Sequence, residues 1–412
     1  MPTVFAANGA WCWFSDPRAI YHSGVQEQTF AGWVDDAGNI VVGAFDHREG
    51  SLTTHIVHDT LEVDDHANPS LLIRPDGHLM VFYSKHSGRH IKVRRSVRPE
   101  DASAWEPVRE IAPNDTAAYE AGLRNRYCYT NPYQLSGENN RIYLFWRGLG
   151  FKPNLSYSDD GGVSWSPGRI VVQPAQTYEN QRPYLKVSSN GVDRLHLAFT
   201  DGHPRNESTN GIYYARYQDG AFYKADGVKI TDLDTLPFGP RDADIVYDAR
   251  PTNVRAWIWD VAEAPDGRPV IVYTRLPTED DHRYHYAAFD GQRWQDHEIV
   301  AAGAWFPQTR EGEEEREPHY SGGIVLDHDD PSVVYLSREV EGVFEIERWT
   351  TPDRGQTWTS EAVTAGSALD NVRPVVVRGA APAQGPYVLW LENQRYVHYT
   401  DYQSAIRVAP RP

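Results

Sequence analysis

Two histidines, a tyrosine and an arginine stand at the borders of short apolar runs in the first half of the sequence. His66 and Tyr129 each come two residues before an Asn-Pro pair, and His86 and Arg147 each come at the end of an apolar run. Histidine exchanges protons near neutral pH, tyrosine serves as a proton donor or acceptor, and arginine binds carboxylates with two parallel hydrogen bonds. If the fold brings the four side chains together, they predict acid/base chemistry beside an anion.

The reaction that such a set fits is β-elimination at a uronic acid of a polysaccharide. The proton at C5 of a uronate is weakly acidic, and an arginine that neutralises the neighbouring carboxylate makes its removal feasible. A neutral histidine or an ionised tyrosine can take this proton, and a second histidine or tyrosine can protonate the oxygen that leaves from C4. Hydrolysis by paired carboxylates is less well supported, because Asp64, Asp65, Asp201 and Asp260 are equally suited to turns and backbone hydrogen bonds.

A repeated sequence unit accounts for the positions of these residues. The unit opens with a polar residue, usually followed by proline, and continues into an apolar strand. Seven openings fall at positions 17, 69, 132, 183, 261, 321 and 374, and the copies at 261 and 321 lack the proline. A second strand is predicted after each opening at Phe30–Val34, Leu79–His86, Ile142–Arg147, Leu195–Thr200, Pro269–Arg275, Val333–Arg338 and Tyr387–Glu392. Internal repeats of this kind indicate a solenoid or a propeller.

A second, independent mark has the same period. The pattern Ser/Thr-x-Asp-x-Gly-x-x-Trp, known as the Asp box, occurs at 158–165 and 351–358, and degenerate copies end at Trp105, Phe222 and Trp294. The five copies end 57 to 72 residues apart. Together the two marks predict an all-β chain that forms one seven-bladed β-propeller, with four-stranded antiparallel blades, over residues 1–412.

The propeller predicts which residues meet. The innermost strand of each blade starts at one mouth of the central channel, and the second strand ends at that same mouth. His66, His86, Tyr129 and Arg147 are therefore expected in one pocket as the catalytic group. The candidate substrate-binding residues at the same mouth are His203, Arg205, Asn68, Asn131 and Arg182. Weaker candidates there are Arg275, His319 and Arg338.

Four segments resemble a known family. The segments are Trp11–Arg18, Asp65–Pro69, Arg141–Gly148 and Phe199–Arg205. They are similar to the BNR-repeat propellers, a family that includes the seven-bladed ulvan lyases and the related rhamnose–glucuronate lyases. The resemblance implies a polysaccharide lyase acting on a rhamnose–glucuronate linkage, with His66 and His86 as the histidine pair, Tyr129 as the catalytic tyrosine and Arg147 as the neutralising arginine. It does not decide which of the two histidines and the tyrosine is the base and which is the acid.

The resemblance also bears on metals. Some members of the family carry a structural zinc that is bound partly by cysteine. Cys12 and Cys128 are distant in sequence from the loop 201–205, so we expect neither a metal nor another cofactor.

Two alternative functions stay open at this point. A branch of the same family is similar in fold but consists of α-L-rhamnosidases that act on rhamnosyl-glucuronate, with a single histidine on the opposite face. His22, at the far end of the first inner strand, is the candidate for that histidine. The other alternative is a propeller that binds glycans without catalysis. A sialidase is disfavoured, because Arg275-Leu276-Pro277 follows the first Asp box instead of preceding it.

Composition limits the class of partner. The 40 Lys and Arg residues against 57 Asp and Glu residues give a net charge of −17, which argues against a general nucleic-acid binder. Much of the acidic excess lies in Glu279–Asp281 and Glu311–Glu317, whereas the predicted mouth is basic. Screening acts over ~8 Å at physiological salt, so a uronate chain remains a suitable partner for that mouth.

The sequence shows neither a signal peptide nor an apolar stretch long enough to cross a membrane. We therefore expect a monomer without membrane association, cytoplasmic as written, or secreted or periplasmic if a leader has been removed. The two cysteines are too few for a disulfide framework.

Overall fold

Antiparallel β-strands supply nearly all of the regular structure, and the computed structural model describes residues 2–114, 122, 124–175, 181–303, 321–379 and 381–411. Runs of β-branched and aromatic residues form the strands, and Gly, Asn, Asp and Pro separate them because these residues favour turns. Within the described ranges the strands group into seven sheets, each with at least four strands. The predicted features at Glu311–Glu317 and His319 lie outside the described residues.

The first four blades follow one another along the chain after an initial strand, β1 (Thr3–Ala6). Blade 1 consists of β2 (Ala19–Ser23), β3 (Glu27–Val34), β4 (Ile40–Asp46) and β5 (Ser51–His58). Blade 2 consists of β6 (Ser70–Ile73), β7 (Leu79–Tyr83), β8 (Ile91–Arg98), β9 (Asp101–Trp105) and β10 (Arg109–Ile111). Blade 3 consists of β11 (Cys128–Leu135), β12 (Arg141–Arg147), β13 (Pro153–Ser158) and β14 (Arg169–Ile170). Blade 4 consists of β15 (Leu185–Ser189), β16 (Arg194–Thr200), β17 (Ile212–Gln218), β18 (Ala221–Tyr223), β19 (Lys229–Asp232) and β20 (Asp244–Tyr247).

The remaining blades have four strands each, and the last one includes β1. Blade 5 consists of β21 (Arg255–Glu263), β22 (Pro269–Leu276), β23 (His282–Phe289) and β24 (Trp294–Gly303). Blade 6 consists of β25 (Ile324–Leu326), β26 (Val333–Val340), β27 (Val343–Thr350) and β28 (Thr359–Ala362). Blade 7 consists of β29 (Asp370–Val376), β30 (Val388–His398), β31 (Asp401–Ala409) and β1. Short 3₁₀ turns lie at Asp65–Ala67, Ser136–Glu138, Leu149–Phe151, Leu233–Thr235 and Pro240–Asp242.

The seven blades form a closed ring. The inner strand of each blade, from β2 through β29, contacts the inner strand of the next one. Between blades 7 and 1, Ile20 of β2 bridges to Arg378, just beyond β29. β1 pairs antiparallel with β31, placing Thr3 opposite Val408, so the two ends of the chain share one sheet. This architecture is the predicted seven-bladed propeller of four-stranded antiparallel blades.

The repeat marks fall where the propeller requires them. The seven predicted openings fall within or up to three residues before the inner strands β2, β6, β11, β15, β21, β25 and β29. The predicted second strands overlap with β3, β7, β12, β16, β22, β26 and β30. The two complete Asp boxes lie between β13 and β14 and between β27 and β28, at the turn from the third strand of a blade to the fourth.

Each complete Asp box is a hydrogen-bonded turn. In the first one, Asp160 Oδ1 accepts hydrogen bonds from the Val163 and Ser164 amides at 3.0 and 2.8 Å, and Ser158 Oγ accepts one from the Gly162 amide at 2.8 Å. Gly162 has φ of 88°, a conformation that disfavours other residues. The following tryptophan, Trp165, meets an aromatic ring of the preceding blade edge to face. The box therefore joins neighbouring blades.

A segment between β1 and β2 crosses the channel and is held there by buried charges. Asp16 receives hydrogen bonds from Lys186 Nζ and, at 3.0 Å, from Arg18 Nε, and Arg18 also donates to the Cys12 carbonyl at 2.9 Å. Lys186 also donates to the Trp13 carbonyl. Although burial opposes it, the charges of Arg18 and Lys186 lower the pKa of Asp16. This ion cluster fixes the segment that carries Trp13 and Phe14 to the mouth.

We expect Lys186→Met to destabilise the protein by about 3 to 5 kcal/mol, because the variant leaves Asp16 buried without one of its two cations. The matched control is Lys229→Met, since Lys229 pairs with Asp232 at the surface, and this change should cost less than about 1 kcal/mol. Urea unfolding of both variants measures the difference. Equal midpoints would show that the buried cluster does not hold the segment in place.

Candidate active site

One carboxylate orients both histidines of the predicted pair. Asp64 caps the 3₁₀ turn Asp65–Ala67, and its Oδ1 accepts the amide of His66 at 2.9 Å and Nδ1 of the same residue at 2.8 Å. Asp64 Oδ2 lies 2.9 Å from His86 Nδ1, just after β7. The two imidazole rings are parallel, 3° apart in orientation, with centroids separated by 4.0 Å. Since Nδ1 of each ring is bound to the same carboxylate, both Nε2 atoms point away from Asp64 in the same direction.

The two stacked rings carry different charges. Burial opposes protonation of His66, but Asp64 and Asp65 lie within 2.9 Å of its Nδ1 and raise the pKa of His66 well above its usual value. Burial and then the neighbouring charge of His66 lower the pKa of His86 to about 4. Near neutral pH the pair therefore consists of an imidazolium at His66 and a neutral imidazole at His86, so together the two rings hold one proton more than two neutral imidazoles and carry one positive charge.

Tyr129 is brought beside the pair by an irregularity in β11. The register of β11 against β12 shifts between Cys128 and Asn131, and Tyr129 lies in this bulge with φ of 58°. Its ring centroid is 5.6 Å from that of His66 and 6.3 Å from that of His86. Burial raises the pKa of Tyr129 well above 10 despite the opposing charge of Arg147, so the hydroxyl is a proton donor near neutral pH. A left-handed conformation at a tyrosine is costly and is often found at functional sites.

Arg147 ends β12 with its guanidinium over the Tyr129 ring, 4.5 Å from the ring centroid. It donates hydrogen bonds to the hydroxyls of Tyr129 and Tyr184 at 3.4 and 3.3 Å and to the His86 carbonyl at 3.4 Å. None of its hydrogen-bond partners in the part of the chain that the structure describes is a carboxylate. A buried guanidinium with only neutral partners is suited to bind an anionic ligand.

His203 lies beside Tyr184, whose hydroxyl accepts a hydrogen bond from Arg147. Its Nδ1 accepts the amide of Arg205 at 3.1 Å, and burial together with the surrounding arginines, Arg205 first, lowers its pKa well below the usual value. The ring packs against Tyr184 and Trp257, with centroids 5.6 and 5.0 Å away. His203 is therefore neutral, and Nε2 carries its proton as a hydrogen-bond donor.

The two predicted asparagines are engaged by the backbone. Asn68 Oδ1 accepts the amide of Cys12 at 3.1 Å, and Asn131 Oδ1 accepts the amide of Asp16 at 3.0 Å. Asn131 also donates to the Tyr129 carbonyl at 2.7 Å. Both residues are buried. They anchor the segment that crosses the channel, and the substrate contact predicted for them stays a prediction.

A cavity of about 100 Å³ joins these side chains at the mouth. It is lined by Cys12, Trp13, Phe14, His66, His86, Tyr129, Arg147, Arg182, Tyr184, His203, Arg205, Trp257 and Tyr399. We call it the histidine cavity. The predicted catalytic residues and Arg182, His203 and Arg205 are all part of it, as expected from the strand positions. Cys12 also borders it, so its distance in sequence from His203 did not reflect the distance in space.

The sequence analysis did not identify Tyr184, Trp257 and Tyr399 as residues of the histidine cavity. Tyr399 lies in the turn between β30 and β31 and meets both histidine rings edge to face, with centroids 4.7 and 5.2 Å away. This turn carries none of the repeat marks. Tyr184 directly follows the proline of the fourth opening, so its position could have indicated it. Trp257 lies in β21 before the opening and carries no signal of its own.

One group in the described residues has three side chains of metal-binding type close together. The ligand atoms of Asp64, His66 and His86 lie within 4.8 Å of one another. Nδ1 of both histidines is hydrogen-bonded to Asp64 itself. One nitrogen of each ring is thus engaged within the group, and the expectation of no metal stays a prediction.

The inner strands end at a different cavity. This cavity has a volume of about 920 Å³. It is lined by Gln134 and Ser189, which lie near the ends of the inner strands β11 and β15, and by His22, near the end of β2. His22 Nε2 lies 3.3 Å from Glu100 Oε1. The histidine pair and His22 are therefore at opposite ends of the channel, as the strand directions predicted.

Comparison with known proteins places this site in a family context. A family model described as "BNR repeat-containing family member" matches residues 28–302 of this chain. The chain belongs to the BNR repeat-containing family. An ulvan lyase, PL25, from Pseudoalteromonas sp. (strain PLSV) is 21% identical over 228 residues, which cover 50% of this chain and 42% of that protein. The matched part thus spans less than half of this curated relative.

Solved structures show the same fold. An ulvan lyase of family PL25 bound to -[GlcA(1-4)Rha3S]- superposes with a TM-score of 0.73 at 15% identity, covering 98% of this chain and 95% of the other. The polysaccharide lyase Uly1 superposes with a TM-score of 0.61 at 11% identity, covering 98% and 92%. No helix within the described ranges is both long and apolar enough to cross a membrane.

The unequal charges of the two rings can be checked by histidine NMR. Near pH 7 we expect His66 to be doubly protonated and His86 singly protonated, with His86 gaining its second proton only at about pH 4. Asp64→Asn should lower the pKa of His66, because the imidazolium loses one of its two carboxylates. Asp76→Asn is the control, since Asp76 contacts His78, away from the cavity, and should leave His66 unchanged. Equal midpoints for both rings near the usual value would contradict the assignment.

Proposed function

We propose that this protein is a polysaccharide lyase that cleaves a uronic-acid-containing polysaccharide or oligosaccharide by β-elimination. The proposed substrate has glucuronate linked to rhamnose, as in ulvan. The observation that carries the proposal is that Asp64 holds two stacked histidines beside Arg147, whose hydrogen-bond partners among the described residues are neutral. The reaction requires a base, an acid and a cation for the carboxylate, and these residues supply all three.

Arg147 is proposed to bind the carboxylate of the uronate. When the proton leaves C5, negative charge moves onto that carboxylate, and a fixed cation in a buried site stabilises it most at this stage. The Tyr129 hydroxyl, 3.4 Å from Arg147 Nη1, is placed to donate to the same carboxylate. Because its pKa lies well above 10, Tyr129 is a donor and not the base in this proposal.

His86 is proposed as the base and His66 as the acid. His86 is neutral, and Asp64 holds its Nδ1 proton, so Nε2 has the free lone pair that takes the C5 proton. His66 is cationic, and its Nε2 proton goes to the oxygen that leaves from C4. The bond from C4 to this oxygen breaks as the C4–C5 double bond forms. The pair carries one positive charge before and after the step, so Asp64 balances it throughout.

The parallel rings suit the geometry of this elimination. Both Nε2 atoms point in one direction with the ring centroids 4.0 Å apart, so proton removal and proton delivery take place on one side of the sugar. Pyranose rings present apolar C–H faces, and Trp13, Phe14 and Trp257 supply aromatic surfaces in the histidine cavity. The proposed step uses side chains alone, and Arg147 fills the role that a metal ion would otherwise have.

The comparisons support the proposal through the fold and through the names of the similar proteins. Two of them are described as ulvan lyases, and one was solved with a glucuronate–rhamnose 3-sulfate oligosaccharide. The likeness is low in sequence, so the activity of this chain rests on the arrangement of its own side chains.

Arg147→Ala should reduce kcat/KM for elimination by about 100- to 1,000-fold, because the carboxylate loses the cation that stabilises its developing charge. The assay follows the ultraviolet absorbance of the unsaturated uronate on ulvan and on an unsulfated rhamnosyl-glucuronan. Arg141→Ala is the matched control, since Arg141 begins the same strand and pairs with Asp159 at the surface. This control should keep its activity.

Other results of the same assay point to other functions. Release of rhamnose without a rise in absorbance would replace the lyase by a rhamnosidase. Binding of the glycan without any product would indicate a glycan-binding propeller. Near-normal elimination by Arg147→Ala would place the site elsewhere.

The dependence of kcat/KM on pH should show two limbs that follow from the pair. Activity falls below about pH 4, where His86 becomes protonated and can no longer take the C5 proton. It falls again only well above the usual histidine pKa, where His66 loses the proton that it must deliver. Rates measured at constant ionic strength test both limbs. A profile that rises through the usual histidine pKa would contradict the assignment of His86 as the base.

A further inference from the structure

A second buried carboxylate, that of Asp65, lies next to His66 and has no role in the mechanism proposed above. Asp65 is fully buried, and its Oδ1 lies 2.9 Å from His66 Nδ1. The Nδ1 proton is donated to Asp64, so Asp65 acts on His66 through its charge. Asp65 Oδ2 accepts hydrogen bonds from Arg373 Nη1 and from the Tyr396 hydroxyl.

Arg373 comes from the other side of the ring. It lies in β29 of blade 7, at a register shift between Val372 and Val375, and has φ of 54°. Its guanidinium is 1% exposed and donates to the Trp11 carbonyl and to the Tyr396 hydroxyl, both at 2.9 Å. The same guanidinium lies 5.0 Å from the centroid of the Trp13 ring. Among the described residues, Asp65 is the carboxylate with which it forms an ion pair.

The charged groups near His66 and His86 come from the turn before β6 and from several blades. The turn that carries His66 supplies Asp64 and Asp65, and Glu62 just before it accepts the amide of His86 at 2.7 Å. Blade 3 supplies Arg147, and blade 7 supplies Arg373. Among the described residues, the histidine cavity also holds the guanidiniums of Arg182 and Arg205, the imidazole of His203, the phenols of Tyr129, Tyr184 and Tyr399, and the thiol of Cys12, whose pKa is raised by burial. The phenol of Tyr396 is bonded to Asp65. Because the Asp65 carboxylate is paired with Arg373, the Asp64 carboxylate, which holds Nδ1 of both histidines, is left to balance one positive charge on the pair.

We propose that Arg373 is a positioning residue that, through Asp65, limits the His66–His86 pair to a single positive charge, that is, to one proton more than two neutral imidazoles hold. This inference rests on the proposed function, because a pair with one positive charge has a neutral imidazole as the base and an imidazolium as the acid. Without Arg373, the uncompensated carboxylate at Asp65 favours a second proton on the pair, and His86 stops being a base. Without the negative charge of Asp65, His66 tends to lose its extra proton and become a neutral imidazole, so it stops being an acid.

The two residues therefore have opposite effects on the pH profile. Arg373→Gln should move the acid limb of kcat/KM up by about 1 to 2 pH units, because the variant loses a positive charge that disfavours further protonation of the histidines. Asp65→Asn should move the alkaline limb down by about 1 to 2 pH units for the converse reason. The double variant Asp65→Asn/Arg373→Gln removes one charge of each sign and should return both limbs towards their original positions. Arg373→Lys keeps the charge and should keep the acid limb.

Two readouts separate this inference from a structural role and from the proposed function. If Arg373→Gln lowers the rate equally at every pH, or if the double variant shifts as far as the single one, the inference is wrong. Histidine NMR gives the pKa values of His66 and His86 without any substrate, and it should show the same opposite shifts in the two single variants. If the protein eliminates no substrate but the NMR shifts occur, the proposed function fails and the control of the proton number stands. Unchanged histidine pKa values in both single variants overturn the inference whatever the activity.

Discussion

The site depends on the two hydrogen bonds that Asp64 accepts from the histidine pair. One carboxylate holds Nδ1 of both His66 and His86, so it fixes the tautomer, the orientation and the stacking of the rings together. Two imidazoles 4.0 Å apart would repel each other if both were protonated. The shared carboxylate and the close stacking together make unequal protonation the favoured state. In the proposed mechanism, acid and base thus arise from the same residue type through their surroundings.

The fold supplies this arrangement by bringing distant parts of the chain to one end of a channel. The histidines come from the loops around blade 2, Tyr129 and Arg147 come from blade 3, and Tyr399 comes from the turn that ends β30. Strand direction decides which mouth each residue reaches, because every inner strand starts at the same end. The segment with Trp13 and Phe14 crosses the channel and forms part of the cavity wall, and the cluster of Asp16, Arg18 and Lys186 keeps it there.

Residues that belong to the repeat could be predicted from the sequence, because their position in the unit determines their position in space. This holds for the seven blades, for the histidine pair, for Tyr129 and Arg147, and for the placement of His203 in the same cavity. Residues outside the repeat could not be predicted in the same way. Tyr399 lies in a hairpin turn without a repeat mark. Arg373 belongs to the seventh opening, but its place in the repeat does not show that it reaches Asp65 across 308 positions of sequence. The roles of Asn68 and Asn131 in holding the backbone depend on a loop whose path no sequence pattern described.

The pairing of β1 with β31 has a consequence for the timing of synthesis. Blade 7 contributes Arg373, Tyr396 and Tyr399 to the surroundings of His66, yet these residues leave the ribosome more than three hundred positions after it. A nascent chain can complete blades 2 and 3 while Asp65 still lacks its guanidinium and the histidine rings still lack Tyr399. The surroundings of His66 are therefore complete only when the ring closes, so that a truncated or half-made chain carries the histidines without Arg373 and Tyr399 beside them.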